Sequence, residues 1–307
     1  MPLDEGPLRG VLPVVVTPFA EDFSIDRGQL EHEVAWILDC GAAGVTVGMS
    51  SEILRLSTAE RMQLAEVTCA AASGRGWSVI AVTAESTPLA CELARQAETV
   101  GADAIMVNAP VLGAAPESEL HRHFSRVIET TSLPVVIQDA SGYAGRPLSV
   151  ELHGRLFTEY PGRVAFKPES NPLGPKLSAL HRITGGAAAM FEGSGGGALV
   201  EAFARGLAGT MPGPDLVWAI VPLWQALLRD DIDRAAALAA RLLGILALAT
   251  SLDAYIAIHK FLLVEQGVLG SDRMRPPVDF RVDRPMGTDL VRLLANLRAE
   301  VDTGMAA

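Results

Sequence analysis

The chain has 307 residues, of which 36 are acidic and 25 are basic, so its formal charge is −11. This charge excludes a strongly basic nucleic-acid-binding surface, because affinity for a phosphate backbone comes mainly from clustered Lys and Arg. Since 49% of the residues are hydrophobic, the chain can bury a large core and is not expected to be disordered. Its length fits one large α/β domain, alone or with an appendage.

The first residues and the cysteines indicate a protein of a reducing compartment. Residues 1–5 lack the basic and apolar regions of a signal peptide. Cys40, Cys69 and Cys91 show no paired spacing, so we expect them to be small core residues. The most apolar late segment, 235–250, contains an arginine and is too short to span a bilayer. We therefore expect a cytoplasmic protein with no membrane partner.

Apolar runs and helical segments alternate regularly along the chain. The runs are nearly continuous, which is typical of strands buried on both faces of a parallel sheet. We predict strands at 11–16, 44–47, 78–82, 104–107, 135–137, 164–166, 187–191 and 207–211. Helical spacing lies between them, most clearly at 27–38, 58–72, 88–100, 117–130 and 199–205. Eight strand–helix units predict an α/β fold, the (β/α)8 TIM barrel, which typically takes about 250 residues.

The competing architecture is an open, doubly wound sheet. Such a sheet usually has a Gly-rich phosphate turn after its first strand, whereas here the turn reads Val16-Thr17-Pro18-Phe19. After residue 214 the alternation stops, and residues 215–268 read as two or three long helices, followed by a last helix at 286–301. We therefore predict a barrel domain over residues 1–230 and a C-terminal helical extension over 231–307.

One lysine occupies the position where such barrels keep their reactive groups, just past a strand. Only three of the 25 basic residues are lysines, and Lys167 ends the apolar run 164–166. Unlike arginine, a desolvated lysine can lose its proton and attack a carbonyl. A lysine that simply reaches solvent is the alternative at this position. Lys176 and Lys260 lie in helical segments and are expected at the surface.

The segment after the second strand reads Gly48-Met49-Ser50-Ser51-Glu52. A glycine followed by small hydroxyl residues lets backbone N–H groups point at an anion, with the hydroxyls as further donors. This segment could hold a carboxylate. An N-cap and turn that only precede the next helix are the alternative.

A glycine-rich loop, Gly193-Ser194-Gly195-Gly196-Gly197, follows the seventh strand with Glu192 beside it. No Lys-Ser/Thr follows it, so it is not a phosphate loop. It either lets a ligand approach the barrel closely, with Gly193 and Ser194 in contact, or is a flexible loop.

Histidine spacing gives no metal site. His121 and His123 lie two residues apart on a predicted helix, so they face different directions, and we expect both at the surface. We predict no metal, no nucleotide and no cofactor.

Three of these features occur together in one known family. Thr17-Pro18-Phe19, the Gly-x-Ser-x-Glu segment and the lone strand-end lysine resemble the dihydrodipicolinate synthase/N-acetylneuraminate lyase family. These proteins are class I, Schiff-base aldolases and dehydratases on a (β/α)8 barrel with a C-terminal helical extension. The resemblance extends to about Gly270. It implies that Lys167 forms the imine, that residues 48–51 hold the carboxylate of a small-molecule 2-oxo acid, and that the protein is a homo-oligomer, a tetramer or a dimer.

The sequence departs from this family at its usual acid/base. The family's tyrosine at the end of the fifth strand relays a proton to the C4 hydroxyl, and Gln138 stands in its place. The usual Tyr pair is missing from residues 108–111, Tyr143 is off register, and Arg146 is an uncertain match for the arginine of that loop. Another acid/base is therefore required.

Two carboxylates are candidates for that role. Glu169 lies two residues beyond Lys167, so both side chains point the same way if the strand continues. Glu192, after the seventh strand, is the second candidate. Together with Gln138, these residues resemble the sugar-acid dehydratases of the family, of the 2-keto-3-deoxyarabonate dehydratase type.

This resemblance implies a lyase that dehydrates a 2-keto-3-deoxy sugar acid. Lys167 would form an iminium at C2, a carboxylate would remove a C3 proton, and the enamine would expel the C4 hydroxyl as water. The alternatives are an aldolase or lyase that releases pyruvate, a dihydrodipicolinate synthase-type condensation, and a barrel that binds keto acids without catalysis.

Overall fold

The computed structural model describes residues 8–303, and eight parallel strands lie within this range. They are β1 (Gly10–Val11), β2 (Gly44–Val47), β3 (Trp77–Ala81), β4 (Ala104–Asn108), β5 (Val135–Asp139), β6 (Val164–Pro168), β7 (Phe191–Glu192) and β8 (Gly209–Thr210). Strands β2 to β6 pair in chain order, and β8 pairs with both β1 and β7. The bridges Val14–Thr46 and Phe166–Met190 join the two sheets and close the barrel. The predicted (β/α)8 fold is confirmed.

Eleven α-helices lie within the same described range. They are α1 (Arg27–Asp39), α2 (Thr58–Ala72), α3 (Thr87–Thr99), α4 (Glu117–Thr130), α5 (Val150–Glu159), α6 (Leu173–Ile183), α7 (Leu199–Phe203), α8 (Val217–Leu228), α9 (Ile232–Leu246), α10 (Leu252–Glu265) and α11 (Arg284–Thr303). Several begin where a side-chain oxygen accepts a backbone N–H bond, as Asp26 does for α1 and Ser57 for α2. Removing such a capping side chain lowers the free energy of unfolding by about 1 kcal/mol.

The central strands are buried throughout, which explains their continuous apolar runs. Every residue of β4, β5 and β6 is buried, because side chains face either the barrel interior or the surrounding helices. The first strand is shorter than predicted. Pro13 has no N–H to donate to a neighbouring strand. After Val11, the N–H groups of residues 12 and 14 bond to the Thr210 and Pro212 carbonyls, and that of residue 15 bonds to the Thr46 carbonyl on the other side.

The last four helices form a layer that reaches back to the barrel mouth. Helix α9 packs against α8 and α11, while α10 packs against the turn that follows β2. The predicted boundary at residue 230 falls between α8 and α9 and stays a prediction. No helix within residues 8–303 has both the length and the apolarity needed to cross a membrane.

The cysteines are free and lie in or beside the core. Cys69 is buried, and Cys40 and Cys91 pack partly buried against the hydrophobic core. Burial raises the pKa of the Cys69 and Cys40 thiols to about 11, so both stay protonated at neutral pH.

Candidate active site

A cavity of about 260 Å³ opens at the carboxyl ends of the strands. Its wall combines strand ends with the connection between α9 and α10. Most of the residues predicted from the sequence line it: Met49, Ser50, Gln138, Lys167, Glu169, Gly193 and Ser194. Three others, Gly48, Ser51 and Glu192, do not. Among the residues that the structure describes, Lys167 is the only one with a basic side chain in the cavity wall.

Lys167 and Glu169 form a buried pair at the end of β6. The Glu169 N–H donates to the Asp139 carbonyl at 2.8 Å, which prolongs the pairing of β5 with β6 by one step. The two side chains therefore face the same way, into the cavity. The Lys167 Nζ lies 3.2 Å from Glu169 Oε1, and the two side chains are 4% and 8% exposed. A proton can pass directly between these groups.

The Glu169 carboxylate is surrounded by donors. Its Oε2 accepts a hydrogen bond from Gln138 Nε2 and a second, of 3.1 Å, from the Tyr143 hydroxyl. Burial raises the pKa of Glu169, while the Lys167 charge and the bonds from Gln138 and Tyr143 oppose the rise. The net direction is upward, so this carboxyl is suited to accept and return a proton closer to neutral pH than an exposed glutamate is.

Gln138 and Tyr143 occupy the region where the family's β5 tyrosine is missing. Gln138 Nε2 also donates to the Tyr143 hydroxyl at 2.9 Å, and Gln138 Oε1 has no hydrogen-bond partner within residues 8–303. Tyr143 is off register in sequence, but the β5–α5 loop returns its hydroxyl to the cavity. Arg146, in the same loop, is exposed and does not line the cavity.

The turn after β2 is held together from inside. Met49–Ser51 forms a single 3-10 turn. The Ser51 hydroxyl donates to the Val15 carbonyl at 2.5 Å and accepts the Gly48 N–H at 3.1 Å, and the Thr17 hydroxyl donates to the Ser51 carbonyl at 2.5 Å. Ser51 and Gly48 therefore shape the turn, and their polar groups are already used.

Met49 and Ser50 are the members of this turn that line the cavity. The first N–H group that donates within the turn is that of Ser51, to the Gly48 carbonyl. The N–H groups of Met49 and Ser50, at the start of the turn, therefore have no acceptor inside it. In residues 8–303 neither of these N–H groups has a partner. Two unpaired N–H groups, on residues that line the same cavity as Lys167, can bind a carboxylate.

Glu192 is occupied by its own loop. It is fully buried, and its carboxylate accepts bonds from the Ser194 N–H at 2.6 Å, the Ser194 hydroxyl, the Gly196 N–H at 3.2 Å and the Thr210 hydroxyl at 2.6 Å. These contacts make Glu192 the internal acceptor that orders the glycine loop, and they leave it outside the cavity wall.

Gly193 is where the glycine loop meets Glu169. A Cβ at residue 193 would lie 2.5 Å from Glu169 Oε1 and Cγ, closer than van der Waals contact permits. Glycine is therefore required for the observed position of Glu169. The close approach at Gly193 is made by a side chain of the protein, and the approach of a ligand to this loop stays a prediction.

The expectation that Lys176 and Lys260 lie at the surface is wrong. Lys260 is fully buried and donates to the Thr17 carbonyl, the Arg273 carbonyl and Glu52. Lys176 has a side chain only 12% exposed, and it contacts the Leu148 carbonyl and, at 3.3 Å, Asp139 Oδ2. Lys260 is buried and Lys176 is half-buried, because oxygen atoms from distant segments surround their ammonium groups. Neither faces the cavity.

The expectation that both helix-α4 histidines are exposed is also wrong for His123. This residue is buried beside Thr87, with Nδ1 3.0 Å from the hydroxyl, and burial lowers its pKa. His121 is half-buried and pairs with Glu159 at 2.6 Å. Across residues 8–303, no three His, Cys, Asp or Glu side chains are grouped so that they could hold a metal ion.

Tyr255, on α10, is a cavity residue that sequence reasoning missed. Its hydroxyl accepts the Gly213 N–H at 3.1 Å, and its ring packs edge-on against His259, with centroids 3.9 Å apart. Burial raises the pKa of Tyr255, so the hydroxyl keeps its proton. Nothing in the sequence indicates that a helix this late in the chain returns to the barrel mouth.

Comparisons with known proteins agree with this fold. The model of the dihydrodipicolinate synthetase family matches residues 7–295. The chain is 32% identical over 177 residues to 4-hydroxy-tetrahydrodipicolinate synthase 2 of Streptomyces coelicolor, covering 57% of this chain and 59% of that protein. It is 35% identical over 161 residues to 4-hydroxy-tetrahydrodipicolinate synthase of Rhizobium meliloti, covering 52% and 54%. The matched segments thus span less than two thirds of each relative.

Solved structures give the same architecture over nearly the full chain. A candidate dihydrodipicolinate synthetase from Pseudomonas aeruginosa superposes with a TM-score of 0.89 at 26% identity, covering 95% of this chain and 100% of the other. YagE of E. coli K12, a prophage protein of the dihydrodipicolinic acid synthase family solved with pyruvate, gives 0.86 at 22% identity, covering 95% and 99%. The second likeness concerns the fold alone.

The fold is a (β/α)8 barrel with a buried lysine at the end of its sixth strand. The chain belongs to the dihydrodipicolinate synthetase family.

Proposed function

We propose that the protein is a Schiff-base hydro-lyase that dehydrates a 2-keto-3-deoxy sugar acid. The observation that carries this proposal is the Lys167–Glu169 pair, 3.2 Å apart at the base of the cavity, with Gln138 on the neighbouring strand where the family has a tyrosine. An amine and a carboxyl in contact supply the nucleophile and its acid/base together.

Substrate binding would place the carboxylate on the turn after β2 and the C2 carbonyl at Lys167. The unpaired N–H groups of Met49 and Ser50 are the anion donors, and the Ser50 hydroxyl adds one more. Imine formation requires an uncharged amine, and Glu169 is close enough to take the proton from Lys167. Because both groups are buried, the neutral pair is less costly than it would be in water.

The chemical step then needs one proton removed and one returned. The nitrogen of Lys167 adds to C2 and the carbonyl oxygen leaves as water, which gives an iminium. Glu169 removes a proton from C3, and the resulting enamine expels the C4 hydroxyl, which takes the proton from Glu169 and leaves as a second water. In a pentonate, loss of protons from C5 and its hydroxyl and protonation at C3 and C4 then turn the conjugated imine into the imine of a semialdehyde, with no change in composition. Hydrolysis of this imine consumes one water and frees Lys167, so the net change is the loss of one water from the substrate.

Gln138 favours dehydration over carbon–carbon cleavage. Retro-aldol cleavage requires a base on the C4 hydroxyl, and a carboxamide does not accept a proton at neutral pH. Gln138 Oε1, which lacks a partner in the described chain, can instead accept a hydrogen bond from a substrate hydroxyl. It would orient the hydroxyl without deprotonating it.

An aldolase that releases pyruvate, or a dihydrodipicolinate synthase-type condensation, is the second candidate function. Its support is the Tyr143 hydroxyl, which lies 3.1 Å from Glu169 at the cavity wall, together with relatives named 4-hydroxy-tetrahydrodipicolinate synthase. In that case Tyr143 would carry the proton relay that the missing β5 tyrosine performs in the family.

Product analysis separates these functions. The protein is incubated with 2-keto-3-deoxypentonate and 2-keto-3-deoxyhexonate isomers, and the products are followed for pyruvate and for dehydrated semialdehyde. Semialdehyde without pyruvate supports the dehydratase, and pyruvate release supports the aldolase. Borohydride reduction in the presence of substrate, followed by peptide mapping, should label Lys167. Binding without turnover in the wild-type protein would instead indicate a keto-acid-binding barrel.

We also propose that the protein assembles as a homo-oligomer, a dimer or a tetramer, as its family resemblance implies. Size-exclusion chromatography with light scattering measures the assembled mass directly. A mass of 32.4 kDa, that of one chain, would contradict the proposal.

A further inference from the structure

Helix α10 contributes a buried ammonium group that no step of the proposed reaction uses. Lys260 is fully buried, and its three N–H donors match three oxygen acceptors: Glu52 Oε1 at 2.5 Å, and the Thr17 and Arg273 carbonyls at 2.7 Å each. The Phe19 ring lies 4.6 Å from the Nζ. With its donors all paired, this lysine has no role as a nucleophile.

Two of those acceptors belong to segments that hold the turn after β2. Glu52 is the residue directly after Met49–Ser51, and it has a left-handed backbone with φ of 57°. For a residue with a side chain this conformation is disfavoured and persists only where its surroundings impose it. The second carboxylate oxygen of Glu52 accepts the Arg275 N–H at 3.0 Å, so this side chain is held from two sides.

The second acceptor reaches the turn through Thr17. Lys260 binds the Thr17 carbonyl, and the Thr17 hydroxyl donates to the Ser51 carbonyl at 2.5 Å. The same ammonium therefore connects to the last residue of the turn by one route and to the residue after it by another. Both routes start in the C-terminal extension and end next to Met49 and Ser50, the residues of the turn that line the cavity.

We propose that Lys260 is a positioning residue that sets the turn after β2, and thereby the affinity of the site for the substrate's carboxylate. The inference rests on the proposed function, because it requires imine formation at Lys167 with a 2-oxo acid. Lys260 contacts no substrate atom. It acts through Glu52 and Thr17 on the orientation of the Met49 and Ser50 N–H groups.

The test compares two ketones that differ only in the carboxylate. Pyruvate and methyl pyruvate are trapped on the full-length protein with borohydride, and labelling of Lys167 is measured against ketone concentration. Lys260→Met alone leaves Glu52 buried without its partner, so this variant can fail to fold. The double variant, Lys260→Met with Glu52→Met, replaces the ion pair by two apolar side chains, and proteins often tolerate this exchange of a buried ion pair. Glu52→Gln, which keeps the shape and weakens the contact, is a second variant.

We expect the double variant to need about tenfold more pyruvate for half-maximal labelling, the scale of a weakened charged hydrogen bond. Its requirement for methyl pyruvate and its maximal labelling rate should stay close to wild type. Glu52→Gln should shift in the same direction by less. Lys176→Met, a control at a half-buried lysine–carboxylate contact away from this turn, should keep the wild-type ratio between the two ketones.

Three outcomes would overturn the inference, and each is distinct. Equal shifts for both ketones would make Lys260 a general structural residue. No shift for either ketone in the folded double variant or in Glu52→Gln would show that the turn keeps its geometry without Lys260. If pyruvate fails to label Lys167 in the wild-type protein, the positioning role fails. The proposed function fails as well if 2-keto-3-deoxy acids also leave Lys167 unlabelled.

Discussion

Replacing Glu169 by Gln separates imine formation from proton transfer. The substitution keeps the size of a side chain that is 8% exposed and removes its ability to take a proton from Lys167 at 3.2 Å or from substrate. Loss of a general acid/base costs about 10²- to 10⁴-fold in rate, which corresponds to about 3–5 kcal/mol in the activation barrier. We expect kcat for dehydration to fall within this range. Borohydride should still label Lys167, but more slowly, because the carboxylate that accepts the amine proton is gone.

The pH profile provides a second readout for the same substitution. Since burial raises the pKa of Glu169, the wild-type rate should rise with pH through a value above the ordinary glutamate range, as the carboxylate form becomes available. Glu169→Gln should lack this rise. A stopped assay of semialdehyde formation between pH 4 and 9 measures both profiles.

Glu192→Gln is the matched control. This carboxylate is bound by Ser194, Gly196 and Thr210 outside the cavity, so its loss should reduce thermal stability while leaving the pH profile of kcat unchanged. The assignment of Glu169 as the acid/base would be refuted by the opposite result. In that case Glu169→Gln would keep the wild-type kcat, and Glu192→Gln would lose 10²-fold or more in kcat and show an altered pH profile.

Three further predictions follow from the same geometry. Gly193→Ala should lower kcat at least tenfold with imine trapping retained, because its Cβ would lie 2.5 Å from Glu169 Oε1; an unchanged kcat would contradict this. Oxaloacetate should label Lys167 more weakly than pyruvate, since Lys167 is the basic side chain of the described cavity wall and a second carboxylate would find no cation; equal labelling would show otherwise. Burial raises the pKa of Glu33 from 4.5 to about 8, so the folded protein keeps a proton that the unfolded chain releases. The contribution of Glu33 to the free energy of unfolding is therefore complete below pH 4.5. It is lost as the pH rises towards 8, by up to roughly 5 kcal/mol. Chemical denaturation should show a smaller loss in Glu33→Gln, and parallel losses in both proteins would exclude this origin.

The barrel and the Lys167 position could be predicted because both depend on local patterns. Continuous apolar runs indicate strands buried on two faces, and the reactive groups of such barrels follow the strand ends. Alternation along a strand placed Glu169 on the same side as Lys167, and the structure agrees because β6 continues its pairing through Glu169. These inferences need only neighbours in sequence.

The roles of the other charged residues depend on partners far away in the chain. Lys260 is buried by contacts with Glu52 and Thr17, more than 200 residues earlier, and no helical pattern shows that those oxygens will be there. Glu192 lies at the end of a strand just as Lys167 does, but the amides of its own glycine loop bind its carboxylate. A strand-end position therefore indicates where a side chain starts and not which groups it meets.

The predicted division at residue 230 follows the change of sequence pattern along the chain. Residues on both sides of this division nevertheless line the cavity. Tyr255 on α10 completes the cavity wall, and Lys260 on the same helix holds the turn that carries Met49 and Ser50. Since an ion pair this deeply buried is costly to break by removing one partner, the barrel and α10 are coupled in free energy. The C-terminal extension is better understood as the last wall of the candidate active site than as an independent appendage.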